Sequence, residues 1–177
     1  MLPTVKQINL KTRRSVILIA VLAAASSSLL SAQVGTTWDQ QFPGTNRFKI
    51  LSVFGNAAVL DKETGLVWER SPSTSIFVPS DAHLHCNTLV IGNRFGWRVP
   101  TIQELASLID PTQANPSLPL GHPFTNIHTD QLYWSATTNT FGGPYSVGFN
   151  GNGQVTFGGG GNPLAWCVRG GQGVDIQ

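Results

Sequence analysis

Apolar residues in this chain come in short alternating runs broken by glycine and proline, the pattern of brief strands and many turns. Phe48 to Phe54 is a first strand candidate. Ala57–Leu60 and Leu66–Arg70 are two more, and Asp61-Lys62-Glu63-Thr64-Gly65 between them opens on Asp and closes on Gly, as a tight hairpin turn requires. Ser71 to Ser80 reads as a Pro/Ser loop. Leu132–Ala136 resumes as a strand, and Tyr145–Phe149 with Gln154–Phe157 alternates around Asn150-Gly151-Asn152-Gly153, a second hairpin. Gly158 to Pro163 is a connecting loop, Leu164–Arg169 a last strand, and the chain is expected to fray from Gly170.

Two stretches follow the helical period instead. In the first, Ser80 or Asp81 caps a helix running to about Val90, with Ala82, Cys86, Leu89 and Val90 on one inward face. His83 and His85 on it are two apart and cannot face each other, which makes them poor joint metal ligands. In the second, Gly96-Trp97-Arg98-Val99 is an extended entry and Pro100 holds the backbone extended. Thr101 and Glu104 form a capping box. Ile102, Leu105, Ala106 and Ile109 then recur at helical spacing, Leu108 widens the stripe, and Asp110-Pro111 ends it, giving two to three turns. Between this helix and Leu132 lies Pro111–Gln131, a connection with four prolines and no periodicity. Loops of that length in a compact domain are uncommon and often functional.

Charge changes the picture at the N-terminus. Lys6, Lys11, Arg13 and Arg14 precede an apolar run from Val16 to Ala25 and then small residues to Ala32, the order of a secretory signal. The run is about half of the roughly 20 residues a membrane-spanning helix needs, although an uncleaved anchor is the competing reading. Of 11 Lys+Arg and 9 Asp+Glu, four basic residues belong to this leader, so cleavage after Ala32 leaves 7 against 9, a net charge of −2. The exported part therefore carries no basic footprint for nucleic acid, and no membrane attachment is expected once the signal is removed. Residues 33–47 read as a polar lead-in containing Trp38, 48–170 as one domain, and 171–177 as a tail. The two cysteines, Cys86 and Cys167, both lie in the exported part, where an even count reads as a disulfide, with a free catalytic thiol as the alternative.

Several pieces together resemble one family: Val59-Leu60-Asp61-Lys62-Glu63-Thr64-Gly65-Leu66-Val67-Trp68, Cys86, Gly96 to Thr101 with Glu104-Leu105 and Leu108-Ile109-Asp110, Tyr133-Trp134-Ser135-Ala136-Thr137, and Cys167-Val168-Arg169. In this order they are similar to the DUF1566 or Lcl C-terminal domain, named after a Legionella collagen-like adhesin. The resemblance spans about residues 48–170. It implies an α+β, C-type-lectin-like fold related to formylglycine-generating enzymes, with two helices packed on short twisted antiparallel strands and one disulfide between Cys86 and Cys167. It also implies an exported bacterial protein, periplasmic or at the cell surface. In the adhesin the domain is linked to sulfated polysaccharide. This chain has no collagen-like Gly-x-y tract and its exported part is slightly acidic, so polyanion binding, which uses clustered Lys/Arg, does not transfer.

Candidate chemistry is sparse. Trp68, Trp97, Trp134 and Trp166 sit among apolar neighbours and are expected in the core rather than stacked on sugars. Asn115, His122, Asn126, His128 and Asp130 crowd the Pro111–Gln131 loop and are the candidate ligand-binding residues. Calcium is the ion such donors would hold, but no EF-hand pattern and no Glu-Pro-Asn or Gln-Pro-Asp triplet is present, so no metal or other cofactor is expected. The glycine-rich 151–161 stretch lacks a phosphate-loop ending, and Ser135 lies outside a nucleophile elbow. No pair of carboxylates stands out for glycosidase work. The expectation is a non-catalytic module binding a carbohydrate or a surface protein through Pro111–Gln131, with Thr137–Pro144 as an additional surface. A structural or protein-interaction module of the envelope is the alternative, and a hydrolase or oxidase comes third.

Overall fold

The computed structural model describes Phe42 and residues 44–151, 153–158 and 163–171. The basic-apolar leader, most of the lead-in including Trp38, most of the Gly158–Pro163 loop and the tail past Gly171 lie outside the described residues. No helix among the described residues is long and apolar enough to cross a membrane.

The elements in order are α1 (Gly44–Arg47), β1 (Phe48–Ile50), a 3-10 turn (Ser52–Phe54), β2 (Ala58–Asp61), β3 (Val67–Glu69), α2 (Pro79–Thr88), β4 (Trp97–Arg98), α3 (Ile102–Ala106), β5 (Leu132–Thr138), β6 (Pro144–Gly148), β7 (Gln154–Phe157) and β8 (Val168–Arg169). They form an α+β fold with two antiparallel sheets, β1-β2-β3-β8-β4 and β5-β6-β7, and a Cys86–Cys167 disulfide. Both predicted hairpins are present: Leu60 pairs with Val67 across the first turn, and Gly148 with Gln154 across the second.

The run Leu164-Ala165-Trp166-Cys167-Val168 explains how the layers are joined. Its period-two alternation sends Leu164, Trp166 and Val168 into one core cluster and Ala165 and Cys167 into another, and all five are buried. Trp166 meets Trp68, Phe124, Tyr133 and Phe149 at ring-centroid distances of 5.5, 5.0, 5.5 and 5.4 Å. On the other side, Cys167 ties to α2, which buries Ala82 and Cys86 there. Edge-on and tilted ring pairs of this kind add about 0.5–1.5 kcal/mol each beyond the area they bury. All four tryptophans expected in the core, Trp68, Trp97, Trp134 and Trp166, are buried.

Several element boundaries differ from the sequence pattern for identifiable reasons. The first strand ends at Ile50, because Gly55 and Asn56 take left-handed backbone and wind Ser52–Phe54 into a 3-10 turn that buries Phe54. The α2 helix has no side-chain cap from Ser80 or Asp81; Pro79 opens it, where its missing N–H is no loss. Its buried face is also narrower than expected, with Val90 exposed beyond the helix end. The α3 capping box is present, with Thr101 Oγ1 accepting from Glu104 N at 3.2 Å and Glu104 Oε2 accepting from Thr101 N at 2.8 Å. Yet α3 stops at Ala106. Ser107 Oγ donates back to the Glu104 carbonyl and Arg47 takes the Ser107 carbonyl, so the chain leaves through two tighter i→i−3 bonds to Ile109. The last strand pairs in a ladder only at Val168–Arg169, since Leu164 bonds instead to Leu132 and Trp134 of the other sheet.

One ion-pair network fixes the first hairpin. Asp61, fully buried, receives Arg47 Nε at 2.9 Å and Arg47 Nη2 at 2.7 Å, while its two oxygens also accept from Glu63 N and Thr64 Oγ1 within its own turn. Arg47 pairs further with Glu63 at 3.0 Å and lies over the Phe48 ring. Replacing Asp61 by Ala leaves the buried guanidinium without its main partner, a loss of about 3–5 kcal/mol. Chemical denaturation of Asp61→Ala against wild type is expected to show that loss; a change under ~1 kcal/mol would show that Glu63 alone satisfies Arg47.

Candidate functional site

The Pro111–Gln131 connection has no regular structure, but the fold holds it at many points. Leu118 and Phe124 are buried in the main core cluster, Phe124 against Trp166 and Phe48. Its backbone bonds outward in both directions: Asp110 N to Ser117 O at 3.0 Å, Ser117 N to Phe149 O at 2.9 Å, and Thr125 N to Arg70 O at 2.9 Å. Arg70 Nε returns a bond to Pro123 O at 3.1 Å, and the buried Tyr133 hydroxyl accepts from His128 N at 2.8 Å. A loop fixed in this way presents its polar side chains from a preformed surface, which reduces the ordering cost of binding.

The five candidate residues occupy this surface unevenly. His128 Nδ1 lies 3.7 Å from Asp130 Oδ1, with side chains 41% and 78% exposed, the one pair among the five that the structure brings together. Asn115 and Asn126 are exposed and sit at φ 54° and 55°, left-handed backbone that Asn tolerates better than most residues. The Asn126 amide donates to Ser71 Oγ at 2.7 Å, so it also fastens the loop to the β3–α2 connection. His122 stacks on Phe124, with ring centroids 6.0 Å apart, and its Nδ1 is buried without a hydrogen-bond partner among the described residues. Burial lowers its pKa and favours the neutral ring.

Strand direction decides what can join this surface. Leu132 begins β5 beside Gly148 and Gln154, so the Asn150–Gly153 turn shares its end with the long loop. A side-chain carbon at Gly153 would sit 2.5 Å from Ile109, so that turn packs on the exit of α3. The turn and Gln154 line a shallow open depression. The Thr137–Pro144 loop lies at the opposite end of β5, roughly 20 Å away at ~3.3 Å per residue. It holds Phe141, 93% exposed, and belongs to a different surface.

Comparison with protein families matches residues 57–169 to the Lcl C-terminal domain. The chain belongs to the Lcl C-terminal domain family. Comparison with curated proteins and with solved structures finds no match to either. Family membership places this chain with an adhesin-associated domain, and the matched span contains the long loop, both hairpins and both cysteines.

This Lcl-family fold also assembles a polar cluster that the sequence pattern did not reveal. A carboxylate oxygen of Glu69, a ring nitrogen of His85 and the Cys167 sulfur all lie within 4.8 Å of one another. Glu69 ends β3 on the face covered by α2, pairs with the buried Ala58 across β2, and hydrogen-bonds through its N–H to the Cys167 carbonyl. His85 precedes Cys86 on α2 and tilts against Phe77 at 4.9 Å. Burial pushes the Glu69 carboxyl up to about 7, opposed in part by a long 3.4 Å bond from Cys167 N. Burial also lowers the His85 pKa, and its Nε2 has no hydrogen-bond partner among the described residues. The alternation of β3 places Glu69 opposite in facing to Trp68, but the β3–β8 pairing that sets it beside Cys167 joins residues nearly 100 positions apart and left no local signal.

These groups set a pH dependence. The folded Glu69 carboxyl holds its proton to about pH 7, whereas the unfolded one releases it near 4.5. Its contribution to stability is complete below pH 4.5 and is lost as pH rises through 7, amounting to about 3 kcal/mol. His85 acts oppositely: its lowered value gives stability that is present above 6.5 and lost on acidification. The difference in unfolding free energy between wild type and Glu69→Gln isolates the first group. That difference is expected to move against wild type by about 2 kcal/mol between pH 5 and 8; a constant difference would place the Glu69 carboxyl in water.

Proposed function

We propose that this chain is an exported, non-catalytic binding module, lectin-like in fold and use, that recognises carbohydrate at the cell surface or in the periplasm. The observation that carries the reading is the construction of the 111–131 loop. Its apolar residues Leu118 and Phe124 are sunk into the core, and its backbone is bonded to Phe149 and Arg70, while Asn115, Asn126 and Asp130 are exposed, His128 is partly exposed, and His122 is half-buried against Phe124. Amide, imidazole and carboxylate groups on a rigid support are what sugar hydroxyls require, since each hydroxyl both donates and accepts. Two antiparallel sheets, a helix-to-last-strand disulfide and the adhesin-associated family support the same assignment. A pair of carboxylates facing one substrate, the usual requirement for glycoside hydrolysis, does not enter this reading: Asp130 is the loop's one acidic side chain past Asp110. Leu120, 73% exposed on the same loop, favours a protein partner at the envelope as the second reading.

A glycan array probed with the purified protein, in calcium and again in chelator, tests the assignment. Glycan binding is expected to fall at least tenfold in His128→Ala and in Asp130→Ala with thermal midpoints nearly unchanged, because the Asp130 side chain is largely and the His128 side chain partly solvent-facing. Sensitivity to chelator would add calcium to the site. An array blank in both conditions would transfer the function to protein interaction or envelope structure.

A further inference from the structure

The groups surrounding the disulfide exceed what a disulfide needs. A disulfide neither donates to an imidazole nor pairs with a carboxylate, yet a ring nitrogen of His85 lies within 4.8 Å of the Cys167 sulfur, and the Nε2 of that ring is buried without a hydrogen-bond partner among the described residues. Glu69 meets the same place with a single long bond from Cys167 N. Buried polar groups left this way in a native fold call for an explanation. Three donors converge from three separate elements, Glu69 from β3, His85 from α2 and Cys167 from the segment entering β8, and the Cys86 sulfur is bonded to the third.

We propose that, with the Cys86–Cys167 bridge open, Glu69, His85, Cys86 and Cys167 form a four-donor site for a zinc-class divalent cation. Tetrahedral zinc with sulfur, nitrogen and oxygen ligands sets donor-to-donor spacings of roughly 3.3–3.8 Å. Glu69, His85 and Cys167 already lie within 4.8 Å of one another, so adjustments of about an ångström bring these three to that spacing, and Cys86, released from Cys167, supplies the fourth donor. Breaking the sulfur–sulfur bond lets the two sulfurs separate in the direction the site requires. Two thiolates with one imidazole select zinc-class ions over calcium or magnesium, which take oxygen donors. Glu69 and His85 are half-buried and both cysteines fully buried.

An external reductant opens the bridge: two thiols give two electrons and two protons and leave as their own disulfide, or a phosphine takes the oxygen of a water, whose protons go to the two cysteines, and leaves as its oxide. The cation then displaces both thiol protons, and any proton on Glu69, to solvent. In the reverse direction an oxidant of the disulfide class accepts two electrons from the two thiolates, is itself reduced to a dithiol, and the cation leaves. Helix α2 is thus held to the last strand by metal in the reduced chain and by a covalent bridge in the oxidised one. The two forms exclude each other, because the same sulfur electrons make either bond.

Cobalt(II) and zinc titration of the full chain, oxidised and after anaerobic phosphine reduction, tests this. One equivalent of cobalt is expected to bind the reduced chain, with a thiolate charge-transfer band and tetrahedral ligand-field bands that zinc removes. The oxidised chain is expected to give neither band. Glu69→Gln and His85→Ala should each weaken zinc at least tenfold in competition with a chromophoric chelator, while His83→Ala, exposed on the same helix, leaves it unchanged. Circular dichroism of the reduced chain with and without zinc reports the fold at the same time. A reduced chain that stays unfolded in excess zinc overturns the proposal. So does metal binding of equal strength in wild type, Glu69→Gln and His85→Ala, which would be capture by the two thiols alone.

Discussion

Two neighbouring residues with opposite facing, Trp166 and Cys167, are the constraint on which the rest depends. Trp166 gathers Trp68, Phe124, Tyr133 and Phe149 around one indole, and its Nε1 donates to the Glu69 carbonyl at 2.8 Å. One step along the chain, Cys167 reaches α2 through the bridge to Cys86, 81 positions earlier. Because side chains on an extended segment alternate, this strand cannot satisfy one cluster without being in register for the other. A slip of one residue would put sulfur among the aromatic rings and indole against the helix. Among the described residues the helices are short and the strands have two to seven residues, so local structure alone would be marginal. Long-range burial on both faces of one segment supplies what the elements lack.

What the sequence disclosed follows from the range of each interaction. The Thr101–Glu104 capping box and the two hairpins are settled within a few residues, and they appear where the pattern puts them. The four core tryptophans were legible because each has apolar neighbours in sequence. Boundaries went astray where a distant group intervened: Arg47 claims the carbonyl of Ser107 and shortens α3, and the pull of Leu132 and Trp134 on Leu164 shortens the last strand. The start of α2 is the exception, since the deciding signal there is local: Pro79 opens the helix and neither Ser80 nor Asp81 caps it. The Asn and His content of the long loop was visible, but not that Phe124 and Leu118 would bury its middle. Those residues lie in a stretch without periodicity, and their burial depends on Trp166, more than 40 positions away.

A division of labour between frame and surface follows. Residues 57–169, the span that defines the family, supply mostly caps, turns, rings and the bridge. Such features fix where a loop begins and ends, and leave its outward side chains free to differ from one member to another. In this chain, the outward residues of 111–131 include two left-handed asparagines and a His–Asp pair. The backbone positions of Asn115 and Asn126 are set by the frame; the reach of His128 and Asp130 is not.

The few charges inside the molecule separate the parts built for stability from the part that is not. Asp61 and Glu104 are buried, and each has a guanidinium: Arg47 on Asp61, and Arg98 on Glu104 with both nitrogens at 2.7 Å. Both carboxylates also close a turn or a helix cap, so their desolvation is offset several times over. Glu69 has no such partner. The adjacent Arg70 turns away to the Pro123 and Asn56 carbonyls, and burial holds the Glu69 carboxyl near neutrality. An apolar residue there would pack on Ala58 and α2 at lower cost. Among the described residues, Asp61 and Glu104 are each paired with a guanidinium while Glu69 has no ion-pair partner, beside His85, whose Nε2 has no hydrogen-bond partner, and the Cys167 sulfur. Such local departures are expected where a site, rather than the core, determines the residue.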